Sequence, residues 1–527
     1  MSNTDVILAP SLDKREYYLR RYTKARATSD LWISLLEACY HYTTPERNLY
    51  YWTSQYQGAQ KNAKVYDTTP VIAMQSFVSK VHRALTPPQQ NWALLEAGSE
   101  IPDDEKDNVN KLLQDATNIL FSYLHRSNFD LVINECYYDL GIGTACLIIN
   151  EGPDEEPLRF FSVPLARLAP EQTYSGLLDA AWRWWDEVKI SDILALWPEA
   201  RLTPMMSSML KDDPGATVKV LVDGCIDNSP YNTKTKYTYV VMHEGEILLE
   251  KAVDRNPFLT FRWSKISNEV MGRGPVIGAL PSILTLNELM RLELTSANMN
   301  VAKPIMAWSD GIFNPWTFKL EPNTIIPIAP NTSGQFPLQP FPDTANPQFM
   351  QLTANDLRMQ INKLMYGDPL GPIDAPAKTA LEIATRKQEF LEQIGPSFTR
   401  LCVEFMPRLI ENVIHILQKK GLMPKLNVNG KEIKLKYKSP ITISQGQNDV
   451  SVFTQWFQLM QAIVGPDAAI TYLNPIEMPM WMAEKMGVEM KILNDRAQMQ
   501  EMLKQQSQQM EQVEALGIEQ MGAQIGA

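Results

Sequence analysis

Residues 281–302 read PSILTLNELMRLELTSANMNVA, a run with no glycine and with its one proline, Pro281, at the near end. Proline is tolerated in the first turn of a helix, where its missing N–H has no partner to lose. The stretch therefore predicts a helix, about 33 Å long at about 1.5 Å per residue. Its apolar residues (Ile283, Leu284, Leu286, Leu289, Met290, Leu292, Leu294 and Met299) run around the axis instead of lining one stripe. A helix that is apolar on several sides has to be covered on several sides, by its own chain or by neighbouring copies.

The segment after this helix is different in kind. Residues 303–346 hold eight prolines between Pro304 and Pro342, and their only charges are Lys303, Asp310, Lys319, Glu321 and Asp343. Phe313, Trp316, Phe318, Phe336 and Phe341 add apolar bulk. A flexible linker would be rich in Gly and Ser and poor in aromatics, so the segment predicts a small, stiff strand-and-loop module set between two helices. The second of these spans about 348–365. It runs into YGDPLGPIDAPAKTALE (366–382), with two glycines and three prolines in the first eleven residues. Such a loop suits a catalytic lid, a domain linker or a segment held in place for a mechanical reason. Thr379 and Glu382 form a capping box. The helix they open carries a clean stripe from Leu381 to Ile416, is expected to bend at Pro396, and ends at Gly421 and Pro424.

Upstream, helices are predicted over 12–40, 71–85 and 105–138, the second stopped by TPPQQ. Short strands dominate from GIGTACLIINEG (141–152) to about 263. The clearest are TVKVLV (217–222) and KYTYVVMHEGEILLE (236–250), the latter with a hairpin turn at His243–Glu246. Trp182, Trp184 and Trp185, in AAWRWWDEV, read as packing residues at a sheet edge. Downstream, KEIKLKY and ITIS (431–444) predict strands, and 448–464 and 475–486 predict helices. The tail, AQMQEMLKQQSQQMEQVEALGIEQ, is a Gln/Met-rich amphipathic segment, read as a helix that pairs with other helices or as disorder.

The chain has 527 residues, 45% of them hydrophobic, enough for several cores. A net charge of -11 argues against a surface that grips nucleic acid throughout, though not against one that lets DNA slide past. Cys39, Cys136, Cys146, Cys225 and Cys402 are scattered, which predicts reduced, mostly buried thiols. The first residues lack a signal-peptide pattern, and no run approaches the roughly 18 apolar residues of a membrane helix, so a soluble, cytosolic product is expected.

Catalytic chemistry finds little support. His41, His82, His125, His243 and His415 lie far apart, with no pair at metal-ligand spacing. Gly141-Ile-Gly143 precedes a strand, whereas a phosphate cradle needs strand, glycines, then helix. Gly272-Arg-Gly274-Pro275 precedes a helix and could hold an anion there, but reads better as a tight turn that sets the helix direction. No Walker A sequence, GxSxG or carboxylate-rich metal loop is present. No catalytic residue, metal or cofactor is expected.

Five stretches, in order, carry a resemblance: LTPPQQNWALLE (85–96), GIGTACLIINEG (141–152), RFFSVPLARLAPEQTYSGLL (159–178), NPFLTFRWSKISNEVMGRGPVIGALPSILTLNELM (256–290) and KTALEIATRKQEFL (378–391). Together they resemble the head-to-tail connector, or portal, proteins of short-tailed phages of the T7-like type. The tail has no recognised counterpart there. The resemblance implies an α+β, mainly helical portal fold and a structural, non-enzymatic homododecameric ring at one capsid vertex. Its parts would be a wing (1–265), a first stem helix (266–303), a clip (304–346), a second stem helix (347–366), a channel loop (367–378), a long wing helix and strand (379–439), and a crown (440–527) with the tail extending it as a helical barrel.

It also implies that Gly367, Asp368, Pro369, Leu370, Asp374 and Lys378 face DNA passing through the channel. The clip aromatics Phe313, Trp316, Phe318, Phe336 and Phe341 would receive the terminase and then tail adaptor proteins, while the wing would meet the major capsid and scaffold proteins. Another head-tail adaptor, a tail-tube subunit, or an enzyme with an unrecognised site are the alternative readings.

Overall fold

The structure is a computed structural model. It describes residues 13–47, 60–97, 103–172, 178–227, 237–301, 305–307, 338–340, 347–367, 393–424, 433–437, 440–475 and 477–486, with Gly176, Val488, 498–502 and Gln505 besides. The chain divides into two compact units, one of residues 1–34, 77–274 and 374–527, the other of 35–76 and 275–373.

The larger unit begins with α1 (Lys14–Asp30). The single helix expected over 12–40 is two, because the chain turns at Leu31–Trp32 before α2 (Ile33–Thr43). At that turn the Trp32 indole lies under the Arg273 guanidinium, 5.2 Å from ring centroid to cation, a contact no local pattern could reveal. After α3 (Thr69–Leu85) and β1 (Ala93–Ala97), the helix expected over 105–138 is also split, into α4 (Asp103–Arg126) and α5 (Phe129–Ile142).

Two polar residues make that second break. The Ser127 hydroxyl donates to the Leu124 carbonyl at 2.5 Å and accepts from the Phe129 amide at 3.2 Å, closing one helix and opening the next. The Asn128 side chain pairs with both backbone groups of Phe160, at 2.8 and 3.0 Å, as a strand would.

Strands β2 (Thr144–Glu151), β3 (Leu158–Val163) and β9 (Phe258–Arg262) form one antiparallel sheet in the order β3-β2-β9. A second, wholly antiparallel sheet takes β4 (Leu168–Gln172), β5 (Leu178–Lys189), β6 (Thr217–Asp227), β7 (Tyr237–His243) and β8 (Glu246–Val253) in chain order. The β7–β8 hairpin turns where expected, with Glu244 and Gly245 both at positive φ. That is the twist-matched geometry of a two-residue hairpin turn.

The tryptophan cluster packs, as read, but not at an edge: β5 is an interior strand, between β4 and β6. Trp182 is fully buried opposite Gly224, where a Cβ would lie 2.3 Å from the indole, so only glycine admits the ring. Tyr18, Tyr22 and Ala25 of α1 cover this face. Another cluster gathers Ile190 and Ile193 of α6 (Ile190–Leu196) and Met206 of α7 (Pro204–Asp212) with Val241 and Leu248.

Charge is also buried here. Asp223, with no exposed surface, accepts from Arg183 Nε and Nη2 at 2.9 and 2.8 Å, from Trp185 Nε1 at 2.9 Å and from the Tyr239 hydroxyl at 3.0 Å. Arg262, at 1% exposure, donates to Glu404, the Val270 carbonyl and the Gly176 carbonyl. Each buried ion is compensated by several directed bonds, as burial in a weakly polarisable interior demands.

Later in the chain, residues 393–404 are helical straight through Pro396, and the break falls at Phe405, before α10 (Met406–Lys419). Pro407 stands in the first turn of α10, where its missing N–H has no partner to lose. The end of α10 is as expected: Gly421 at φ +70°, with Leu422 N–H donating to the Leu417 carbonyl, closes it.

Strand β12 (Ile433–Tyr437) pairs with β1. ITIS, expected as a strand, instead opens α11 (Pro440–Val464), because Pro440 supplies a first-turn start that outweighs the β-branched run. Helices α12 (Pro466–Thr471) and α13 (Glu477–Met486) come next. The tail is described as helix over 498–502; most of the rest lies outside the described residues.

The smaller unit is built on two long helices, α8 (Pro275–Val301) and α9 (Pro347–Leu364). Helix α8 starts six residues earlier than expected, with Pro275 in the first turn and Pro281 inside. The fold is α+β and mainly helical. Among the described residues, no helix is long and apolar enough to cross a membrane.

Candidate functional site

Helices α8 and α9 pack on each other by one stripe apiece. On α8 the stripe includes Ile283, Leu286 and Asn287, all buried; on α9 it includes Ala354, Ile361 and Met365 just beyond the helix end. The spacings of three, four and seven are those of a single helix face. The other apolar residues remain outside: Leu284, Leu292, Leu294 and Met299 on α8, with Phe349, Leu352 and Met359 on α9, are 41–67% exposed. At about 100° per residue, Leu292 and Met299 point roughly opposite to Ile283. Of a helix expected to be covered on several sides, the chain itself covers one.

Three polar residues that sequence reading did not single out tie a strap over this pair. Asn287 Oδ1 accepts from the Tyr66 amide at 2.8 Å, and its Nδ2 donates to the Lys64 carbonyl at 3.2 Å. Arg358 on α9 donates to Asp67 Oδ2 through Nε and Nη2, at 2.9 and 2.8 Å. The strap thus holds one residue on each helix, fixing their register. Burial alone would raise the Asp67 carboxyl, but the Thr69 hydroxyl and amide and the Arg358 guanidinium outweigh it and hold the group below the ordinary carboxylate range. The available signal was Asn287 itself, an amide side chain in the apolar run ILTLNELM.

Helix α9 leads into the expected channel loop through a tight closure. Tyr366 N–H donates to the Lys363 carbonyl and Gly367 N–H to the Asn362 carbonyl at 2.7 Å. Tyr366 itself sits at φ +55°, the position usually given to glycine. Gly367 is buried, and a Cβ there would lie 3.3 Å from the Ala73 Cα. Of the expected loop residues only Gly367 is described. Asp368, Pro369, Leu370, Asp374 and Lys378, and the capping box at Thr379, lie outside the described residues. So do the clip aromatics Phe313, Trp316, Phe318, Phe336 and Phe341. What is described between α8 and α9 is a short antiparallel pair, β10 (Ile305–Ala307) with β11 (Leu338–Pro340).

The two glycine motifs, read separately from sequence, meet in the structure. Gly274 N–H donates to the Ile142 carbonyl at 2.7 Å, and Gly272 N–H to Thr144 Oγ1 at 2.7 Å. A Cβ on Gly274 would lie 2.1 Å from the Gly141 oxygen, and one on Gly143 would lie 2.0 Å from the Gly272 oxygen. The glycines are there so that two backbones can touch. Their amides face carbonyls and a hydroxyl, which accords with the tight-turn reading.

Burial pushes the thiols of Cys39, Cys146 and Cys402 up to about 12 and that of Cys225 higher still. It also lowers His41 and His82. These are the shifts of inert, packed side chains. Among the described residues no group of His, Cys, Asp and Glu could hold a metal ion.

Comparison with known proteins accords with this picture. A "Probable portal protein" of Bordetella phage BPP-1 is 20% identical over 98% of this chain and 95% of its own length. A "Portal protein" of Salmonella phage epsilon15 is 22% identical over 88% of this chain and 86% of its own. Among solved structures, the neck of an empty GTA particle computed with C6 symmetry aligns over 79% of this chain and 90% of that one, at 12% identity and a TM-score of 0.37. Residues 15–493, nearly the whole chain, match the family described as bacteriophage head to tail connecting protein, and the chain belongs to that family.

Proposed function

We propose that the chain is a portal subunit: a structural protein of the virion that closes with copies of itself into a ring at one capsid vertex. The ring is the passage for double-stranded DNA during packaging and ejection. The observation that carries this reading is the helix pair α8–α9, covered on one stripe and bearing several large exposed apolar side chains on its free faces, in a chain of the head-to-tail connecting family. Large exposed apolar faces mark surfaces that partners cover, and cyclic closure supplies a neighbour on each flank.

In this reading residues 1–265 form the wing, α8 and α9 the stem, 304–346 the clip, 379–439 a long wing helix and strand, and 440–527 the crown. The copy number is that of the resemblance, twelve. Residues 367–378 project toward the DNA. With Asp368, Asp374 and Lys378 as their only charges, they hold phosphates weakly, which suits a surface that DNA slides across. The clip receives the terminase and then tail adaptors, and the wing meets the major capsid and scaffold proteins. The protein performs no turnover of its own.

Negative-stain electron microscopy, paired with the mass in solution, tests the reading. Rings with a central hole and a mass many times 59.9 kDa are expected. A chain that stays monomeric at high concentration and with its scaffold overturns it. Deleting Asp368–Ala377 is expected to leave rings intact and impair DNA packaging or retention. Rings that fail to form would make the loop a structural element instead.

A further inference from the structure

Between Asp449 and Asp467 the chain carries no charged residue, although 21% of all its residues are charged. Most of this stretch is the second half of α11, and one side of it is accounted for. Phe453 lies 5.4 Å from Trp481 of α13, ring centroid to centroid, and stacks at 6.3 Å on Phe457. Lys485 of α13 reaches Asp449 at 2.6 Å and closes one end.

The flank beside it carries Val452, Trp456, Leu459 and Ile463, the last 79% exposed, and Trp456 also lies 5.7 Å from Phe453, ring centroid to centroid. Their steps of four, three and four are the alternating core positions of a helix seam, which takes the side of another helix. A helix that lies on a membrane surface carries Lys and Arg along its polar face; the polar positions here are Ser451, Thr454, Gln455, Gln458 and Gln461.

Charge identifies the occupant. Each copy bears -11, so copies approach each other best where at least one of the two surfaces presents no charge. A basic partner would be met by carboxylates, and this face offers none. In a ring the two halves of a contact are different surfaces of one chain. The same region presents a second set of exposed apolar residues just downstream: Tyr472, Met486 and Val488. Resting on the portal reading, we infer that Val452, Trp456, Leu459 and Ile463 form one half of a contact between neighbouring copies, packed on the 466–488 segment of the next copy. This contact is separate from the one proposed for the α8–α9 pair.

The test compares two double variants by mass photometry over a concentration series. Trp456→Glu/Leu459→Glu puts two charges on the stripe. Ser451→Glu/Gln458→Glu puts the same two charges on the same helix, off the stripe. All four positions are exposed, so both variants should keep the helical circular dichroism of the unassembled subunit. The stripe variant is expected to raise the concentration needed for rings at least tenfold, the control less than twofold.

A photocrosslinking residue at Leu459, in rings mixed from light and heavy isotope copies, should yield products that join both isotopes and map to 466–488. Equal effects of the two variants, no effect of either, or crosslinks confined to one isotope or to another protein overturn the inference. If wild-type rings form and the stripe variant forms them equally well, this inference fails alone. Wild-type chain that never forms rings removes the portal reading and this inference together.

Discussion

The five-stranded sheet and the α8–α9 pair solve the same problem in opposite ways. The sheet covers itself: Trp182 and Trp184 are buried under α1, Gly224 makes room for the indole, and even its central carboxylate, Asp223, is surrounded by donors. The helix pair covers one stripe and leaves Leu284, Leu292, Met299, Phe349 and Leu352 in water. Both regions are rich in large apolar residues. Composition therefore does not separate a core from an interface; which faces the chain covers by itself does.

The sharpest break in that comparison is made inside the sheet. Asp223→Ala removes the acceptor of four hydrogen bonds and strands the buried Arg183 guanidinium. Leaving one partner of a buried pair alone costs about 3–5 kcal/mol. Chemical denaturation of the unassembled subunit should show that loss, and the same loss should persist under conditions that favour assembly. A smaller cost on assembly than on dissociation would mean that neighbours support the sheet after all.

Next comes the inner stripe of the helix pair. Leu286 has no exposed surface, so Leu286→Ala should cost about 2–4 kcal/mol by lost transfer energy and a residual cavity. The strap across the pair should yield less. Asp67→Asn keeps an acceptor for the Thr69 amide and loses the ion pair with a partly exposed Arg358, a loss of about 1 kcal/mol. This loss is pH-dependent. The folded carboxyl titrates below its unfolded value, so its contribution is complete above about pH 4 and disappears as pH falls through the folded value. Stability curves of the wild type and Asp67→Asn should therefore converge in acid. Parallel curves would show that the carboxylate charge contributes nothing.

The sequence is most legible where one local rule decides the outcome. The hairpin turn at Glu244–Gly245, the closure at Gly421, the long helices, and the multi-sided apolar pattern of 281–302 are all readable from adjacent residues. It misleads where a distant contact competes with local pattern. The first helix ends at the turn where Trp32 meets Arg273, and a second ends where a strand edge offers Asn128 two backbone partners. Proline position misleads twice for one reason. At Pro275, Pro407 and Pro440 the residue stands at a helix start, while Pro281 and Pro396 lie within helical runs. A proline's effect depends on whether the amide it lacks was needed, and that is known only once the helix start is known. The crossing of Gly141–Gly143 with Gly272–Gly274 joins residues some 130 positions apart, and one sequence carries no sign of it. The strap partners Asp67 and Arg358 are invisible for the same reason, although Asn287 stands out as an amide in an apolar run.

The smallest expected effect on stability is the most discriminating. Leu292 is the same residue type as Leu286, on the same helix, but 46% exposed. Leu292→Lys places a cation four residues after Glu288, a spacing that suits a helix. In the unassembled subunit it should change stability by no more than about 0.5 kcal/mol. In the ring the same lysine would be buried against an apolar neighbour, where desolvating even a paired ammonium is costly, and sedimentation should show assembly weakened at least tenfold. If Leu292→Lys instead destabilises the isolated subunit as much as Leu286→Ala does, its own chain already covers that face. The contrast between sheet and helix pair would then collapse, and with it the reason for reading α8 as a surface shared between copies.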